Sequence, residues 1–205
     1  MDNMLSKALK EIAGPLNQLL TNLAGENGQI WLEEFKKFLR KEPCWPVMNI
    51  IYSRIISGGE KLIIEPTDGS RGLADATDVF ACIDADFKNY GADELGQPTA
   101  AMPVVVREMC KDANFAQMFD ELNSDREKLC LTPHQIKIFV QNHRRWLRTD
   151  GYSTFFLFKS QSNFFVARVS FGFGGGLRVR VGQFGRSVVW GAEYRRRIVV
   201  PKFAW

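Results

Sequence analysis

The chain has 205 residues, 45% of them hydrophobic and 24% charged, with 27 Lys and Arg against 23 Asp and Glu and a formal net charge of +4. That composition is ordinary for a globular protein and provides a core for one mixed domain or two small ones; it argues against a disulfide framework. No stretch approaches the ~18 consecutive apolar residues that span a bilayer. The total conceals a polarity, because residues 1–136 carry 14 Lys and Arg against 21 Asp and Glu, whereas residues 137–205 carry 13 against 2. A basic part of this kind either binds an anion such as nucleic acid or docks on the acidic part of the same molecule.

Asp2, Lys7, Lys10 and Glu11 interrupt the amino terminus, which therefore lacks the apolar core of a secretory signal; the expectation is a soluble cytoplasmic protein. Leu5, Leu9, Ile12, Leu16, Leu19 and Leu23 recur at steps of three and four, which predicts a helix over residues 3–24 with a kink or break near Gly14 and Pro15. Gly25 and Gly28 bracket a turn. Ile30, Trp31, Phe35, Phe38 and Leu39 mark a second helix on which Glu33 and Lys37 attract and Lys37 and Lys41 repel, and Pro43 and Pro46 end the helical hairpin. The leucine stripe packs internally, forms a seam with a partner or a second copy, or lies on a membrane surface.

Residues 48–56 and 61–65 are two apolar runs around Gly58-Gly59 and read as a β-hairpin. Pro66 to Gly72 is a loop or boundary, without the spacing of a phosphate-binding P-loop. The domain reading is a helical hairpin plus β-hairpin over 1–66 and an α+β domain over 67–205, or one continuous domain. Residues 79–83 predict a short buried strand followed by Asp84-Ala85-Asp86. That pair caps the next turn, chelates a divalent ion or, with Asp84 as nucleophile, accepts a phosphoryl group, although the Thr, Lys and acidic partners of phosphoryl-transfer enzymes are not apparent. Val104, Val105, Glu108, Met109 and Asp112 suggest a helix, and Phe115, Met118, Phe119 and Leu122 another. Thr132-Pro133-His134-Gln135 is a capped helix start whose buried stripe runs through Ile136, Phe139, Val140, His143 and Leu147, with Arg144, Arg145 and Arg148 closing the helix. Cys44, Cys82, Cys110 and Cys130 show no metal-ligand spacing and read as reduced, mostly buried thiols.

From Thr154 to Pro201, β-branched and aromatic runs separated by glycine- and serine-bearing breaks predict a four- to five-stranded antiparallel meander. Phe165, Ala167, Val169, Phe171 and Phe173 alternate with Phe164, Val166, Arg168, Ser170 and Gly172, so one face packs on the capped helix and the other is mixed. A hairpin loop at Gly174–Gly176 sets Ser170 opposite Arg180. The fold class is thus α+β: an amino-terminal helical hairpin, middle helices and a carboxy-terminal meander packed on a helix.

Two stretches, Gly28 to Glu42 and Asn142 to Phe158, together with Ala192 to Pro201, Asp84 to Gly91 and Phe115 to Phe119, resemble segments of a group of uncharacterised bacterial proteins from environmental small-genome lineages. The resemblance implies an intracellular bacterial setting and brings no activity, cofactor or residue role.

The residues favour a non-enzymatic protein-interaction module whose partner is another protein or a second copy. A first alternative is RNA or single-strand nucleic-acid binding on the basic sheet face by Arg168, Arg178, Arg180, Arg195, Arg196, Arg197, Arg144, Arg145 and Arg148, with Tyr194, Phe164 and either Phe156 or Phe158 stacking bases. A second is a metal-assisted hydrolase using Asp84 and Asp86 near His143. No catalytic residue, metal ligand or cofactor is assigned.

Overall fold

The computed structural model describes residues 2–26, 28–42 and 52–202. The chain divides into two compact units, Met1–Ile50 and Ile51–Trp205. In the first, α1 (Asp2–Ala24) packs against α2 (Gly28–Leu39). Helix α1 continues through Pro15 instead of breaking there, because the turns on either side hold it across one missing hydrogen bond. The chain doubles back at Gly28, where a Cβ would run into the Leu23 carbonyl. The ion pairs on α2 form three residues apart, Glu33 with Lys36 and Glu34 with Lys37, in place of the four-residue pairing expected of Glu33 and Lys37. The ends assigned to Pro43 and Pro46, and the start of the apolar run at Met48, lie outside the described residues.

The second unit is built on a mixed sheet of β1 (Ser53–Ile55), β2 (Leu62–Ile64), β3 (Cys82–Ile83), β4 (Met102–Met109), β5 (Thr154–Ser160), β6 (Asn163–Phe171), β7 (Leu177–Gln183) and β8 (Arg197–Pro201). Its order is β1-β4-β8-β5-β6-β7-β3, with β2 also paired to β4. Three expectations change here. The expected hairpin at 48–65 does not close on itself: β1 and β2 each pair antiparallel with β4, side by side along its length. The segment around Val104 is a strand, since Val104-Val105-Val106 is β-branched and burial alternates, with Val104, Val106 and Glu108 inside; a spacing of three and four residues misread a period of two. The meander is three strands, β5-β6-β7. The fourth, β8, pairs parallel to β5 and antiparallel to β4, and Val188-Val189-Trp190 contributes only a bridge from Trp190 to Ala113.

Residues 66–72 run as a loop within this unit, bridged through Thr67 and Thr99. Only Cys82 and Ile83 of the strand expected at 79–83 pair, parallel to β7 at the sheet edge. Cys82 and Cys110 are exposed, contrary to the expectation of buried thiols, and Cys130 is largely covered.

The sheet packs on both of its faces, on one of them only in part. On one, Phe156, Phe158, Phe165, Ala167, Val169, Val179 and Val181 meet Ile136, Phe139 and Val140 of α5 (Pro133–Asn142). The predicted cap is present in full: the Thr132 hydroxyl accepts the Gln135 amide at 3.2 Å and the Gln135 side chain accepts the Thr132 amide at 2.9 Å. Helix α5 stops one turn sooner than its arginines suggested; His143 leaves helical geometry, and Arg144–Trp146 forms a separate 3-10 turn. On the other face, Phe155, Leu157, Val166, Phe184 and Ile198 pack under α4 (Phe115–Asp120) and the 3-10 turn Arg126–Leu129. Helix α4 starts from a second capping box, Asn114 with Gln117. Asp86–Asn89 is a short helix, α3, beside β7.

Candidate functional site

Helix α4 covers only part of its sheet face. Phe115 sits over Gly182, where a Cβ would come to 3.3 Å of the ring, and beyond it the face is open. Along β6 and β7 the open positions are Arg168 opposite Arg180 and Ser170 opposite Arg178. The expected register was two residues out, because the loop is centred on Gly174 with Phe171 opposite Leu177. The observed register makes Arg168 and Arg180 direct neighbours, a repulsive arrangement in the absence of an anion.

The parallel pairing of β5 with β8 closes the site. It sets Thr154 beside Arg197, so Tyr152 and Arg196, each just ahead of its strand, arrive at the end of the sheet where β6 finishes and β7 begins. The result is a cleft of about 430 Å³ lined by Arg168, Arg178, Arg180, Arg196, Trp190 and Tyr152, with Phe171 and Phe173 also on its lining and one carboxylate, Asp150, which is paired with Arg148. Trp190 is held by its backbone bridge to Ala113. The Arg196 guanidinium lies 4.9 Å from the Trp190 ring and 4.6 Å from the Tyr194 ring, and Tyr194 stacks on Tyr152 at 4.6 Å and 25°. The Arg168 guanidinium lies 5.7 Å from the centre of the Trp190 ring and donates to the Val181 carbonyl at 3.3 Å.

Burial lowers the pKa of Arg168, and the neighbouring Arg180 lowers it further; burial does the same to Arg196. Both remain cationic at neutral pH, since a guanidinium does not lose its proton in proteins. The meaning of the shifts is that these charges are partly stripped of water. The Nε groups of Arg168 and Arg178 and the indole N–H of Trp190 are buried without a hydrogen-bond acceptor. Among the described residues no carboxylate stands within ion-pair distance of Arg168, Arg178, Arg180 or Arg196, whereas Arg54, Arg126, Arg145 and Arg148 each have one. Asp84 and Asp86 act on Arg168 only at longer range.

The residues expected on the basic face are therefore dispersed. Arg168, Arg178, Arg180 and Arg196 converge, with Tyr194 behind Arg196. Arg195 is exposed with φ of 46° and turns away at the end of the 3-10 turn Ala192–Tyr194. Arg197 donates to the Leu147 carbonyl at 3.0 Å, Arg144 to the Gly175 carbonyl at 3.3 Å, Arg145 pairs with Glu60 and Arg148 with Asp150 at 2.8 Å. Phe164 lies at the far end of β6 against Phe184, and Phe156 and Phe158 are buried under α5. Trp190, Tyr152 and Phe173 were missed by the sequence reading. The signal for Phe173 was present: a large apolar residue set among Gly172, Gly174, Gly175 and Gly176 has no core to enter.

The acidic residues expected to neutralise the basic face are engaged elsewhere: Glu108 with Arg54, Asp120 with Arg126, Glu127 with Lys159, while Asp112 accepts the Ala192 amide and Glu121 the Tyr52 amide. Asp84 and Asp86 serve their own turn, Asp84 accepting the Asp86 amide and Asp86 the Asn89 side chain. The His143 ring meets the Ile63 carbonyl at 2.9 Å and packs on Phe139. Among the described residues no group of three or more His, Cys, Asp and Glu is placed to hold a metal ion, and no helix is long and apolar enough to cross a membrane. No family model, no curated protein and no solved structure matches this chain.

Proposed function

We propose that this protein binds nucleic acid through the arginine cleft. The observation that carries the reading is the convergence of Arg168, Arg178, Arg180 and Arg196, partly desolvated and without carboxylate partners among the described residues, beside the rings of Trp190 and Tyr152. Desolvated like charges on one sheet face cost stability, and a phosphate backbone offsets that cost while the rings meet bases. Glu108, Asp120 and Glu127 do not compete for the cleft, because each is paired with a cation outside it.

Fluorescence anisotropy with labelled RNA and DNA oligomers over a salt series tests it. Binding is expected to weaken steeply with salt, and Arg180→Ala to reduce the slope of log affinity against log salt by about 0.7 for a single strand, the release of one phosphate contact. Absence of binding at low salt, or binding that ignores salt, rejects the reading.

Protein interaction through the helix pair is favoured by a separate observation. Leu16, Leu20, Ile30, Phe38 and Leu39 stay exposed on α1 and α2. The occupant this reading names is a second copy: a helix pair carrying both apolar residues and mixed charge is self-complementary about a two-fold axis.

A further inference from the structure

Resting on that reading, we infer that the cleft takes an unpaired base, and that Phe173 is the ring that covers it, so that the ligand is a single strand and not a duplex.

Phe173 is the most exposed large apolar residue among those described, at 115% of its reference accessibility. It sits at the tip of the β6–β7 loop and lines the cleft. The loop is built to hold it there. Gly172 donates to the Gly176 carbonyl at 2.8 Å and Gly175 to the Gly172 carbonyl at 3.0 Å, and Gly175 takes a φ of +75° that suits glycine. No Cβ at Gly174 or Gly175 would meet another atom within 4 Å, so the loop tip stands in open space. Beneath it Arg144 lies 5.3 Å from the Phe171 ring and donates to the Gly175 carbonyl, anchoring the base of the loop.

Trp190, Arg196 and Tyr152 line the same cleft, with Arg196 packed over the Trp190 ring at 4.9 Å. The planar surface left uncovered is the Phe173 ring, and a base lying against it in the cleft has its phosphate toward Arg168, Arg178 and Arg180. Bases within a duplex are already stacked and paired and present only their edges, so they cannot lie against that ring. Four arginines line the cleft, and an acyl chain laid against them would strip water from their charges without pairing them. A membrane surface is therefore the less favoured occupant, although Val188 and Val189 are also exposed nearby.

The test uses the full chain and an oligouridylate of roughly eight nucleotides, free or annealed to its complement. Because the Phe173 side chain is exposed, Phe173→Ala is expected to fold as the parent does, which circular dichroism checks. The single strand should bind it about ten-fold more weakly, the loss typical of one base–aromatic stack, while residual duplex binding is unchanged. Phe173→Trp should restore the affinity, and its emission, read as a difference from the parent, should be quenched on adding RNA. Unchanged single-strand affinity in Phe173→Ala, or equal affinity for duplex and single strand, overturns the inference. So does a blue shift of the Phe173→Trp emission on phosphatidylserine vesicles without quenching by RNA. Arg168→Ala with Arg180→Ala separates the two claims: loss of binding there but not in Phe173→Ala leaves the nucleic-acid reading standing and removes only the stack, whereas unchanged binding in both removes the reading itself.

Discussion

At the residue scale the chain sorts its ionisable and nucleophilic groups by what surrounds them. Burial pushes the Cys130 thiol up to about 12, and the adjacent Glu127 adds to it, whereas Cys82 is exposed on an edge strand. A thiol is reactive as its thiolate, and a pKa of about 12 leaves about one Cys130 in ten thousand ionised at pH 8. Iodoacetamide labelling followed by peptide mass analysis should therefore modify Cys82 in the folded protein at pH 8 and spare Cys130 until denaturant is added. Rapid modification of Cys130 in the native state would contradict the burial described. The sequence reading of mostly buried thiols fails for Cys82 and Cys110, since exposure is decided by where each residue falls in the sheet.

At the element scale the capped start of α5 shows a local rule holding in the folded chain. Thr132, Pro133 and Gln135 make a complete cap from four consecutive residues, so no tertiary information was needed to find it. Thr132→Ala should lower stability by about 1 kcal/mol, read as a shift of the urea midpoint with an unchanged denaturant slope, because one helical N–H loses its acceptor. An unchanged midpoint would mean the hydroxyl carries no weight. Strand β4 shows the opposite case. Its residues are compatible with helical spacing over so short a window, and what decides is that β1, β2 and β8 supply hydrogen-bond partners on both its edges. Arg144 and Arg145, which looked like the last turn of α5, lie beyond it because His143 turns its ring to the Ile63 carbonyl.

At the scale of the whole molecule, the acidic and basic parts of the sequence meet in separate ion pairs, Glu60 with Arg145, Asp78 with Lys137 and Glu127 with Lys159, and none of these reaches the cleft arginines. The acids between Glu108 and Glu127 find partners close to themselves, and the cleft arginines remain unpaired among the described residues. For the helix pair, sedimentation equilibrium should show a dimer whose dissociation constant rises by at least ten-fold when Leu16→Ser and Leu20→Ser are combined. A monomer at every concentration in the parent would reject the second-copy reading. Salt should separate the two readings, weakening nucleic-acid binding by opposing counterion release while leaving an apolar helix contact unchanged or tighter.

The sequence by itself determined the helix pair, the capped helix, the alternation of β6 and β7 and the separation of an apolar from an arginine-bearing face. Each depends on the spacing of neighbouring residues, and the periods of 2 and 3.6 are properties of the local backbone. Only the tertiary structure decided which arginines belong together. The hairpin register is set by the loop conformation, and the convergence of Arg196, Tyr152 and Trp190 on Arg168 requires β8 to pair parallel to β5 across a separation that no local pattern records. The open stretch of sheet exists because α4 is short and ends its cover at Phe115. Basic residues were legible as a composition; the cleft they form follows from strand order.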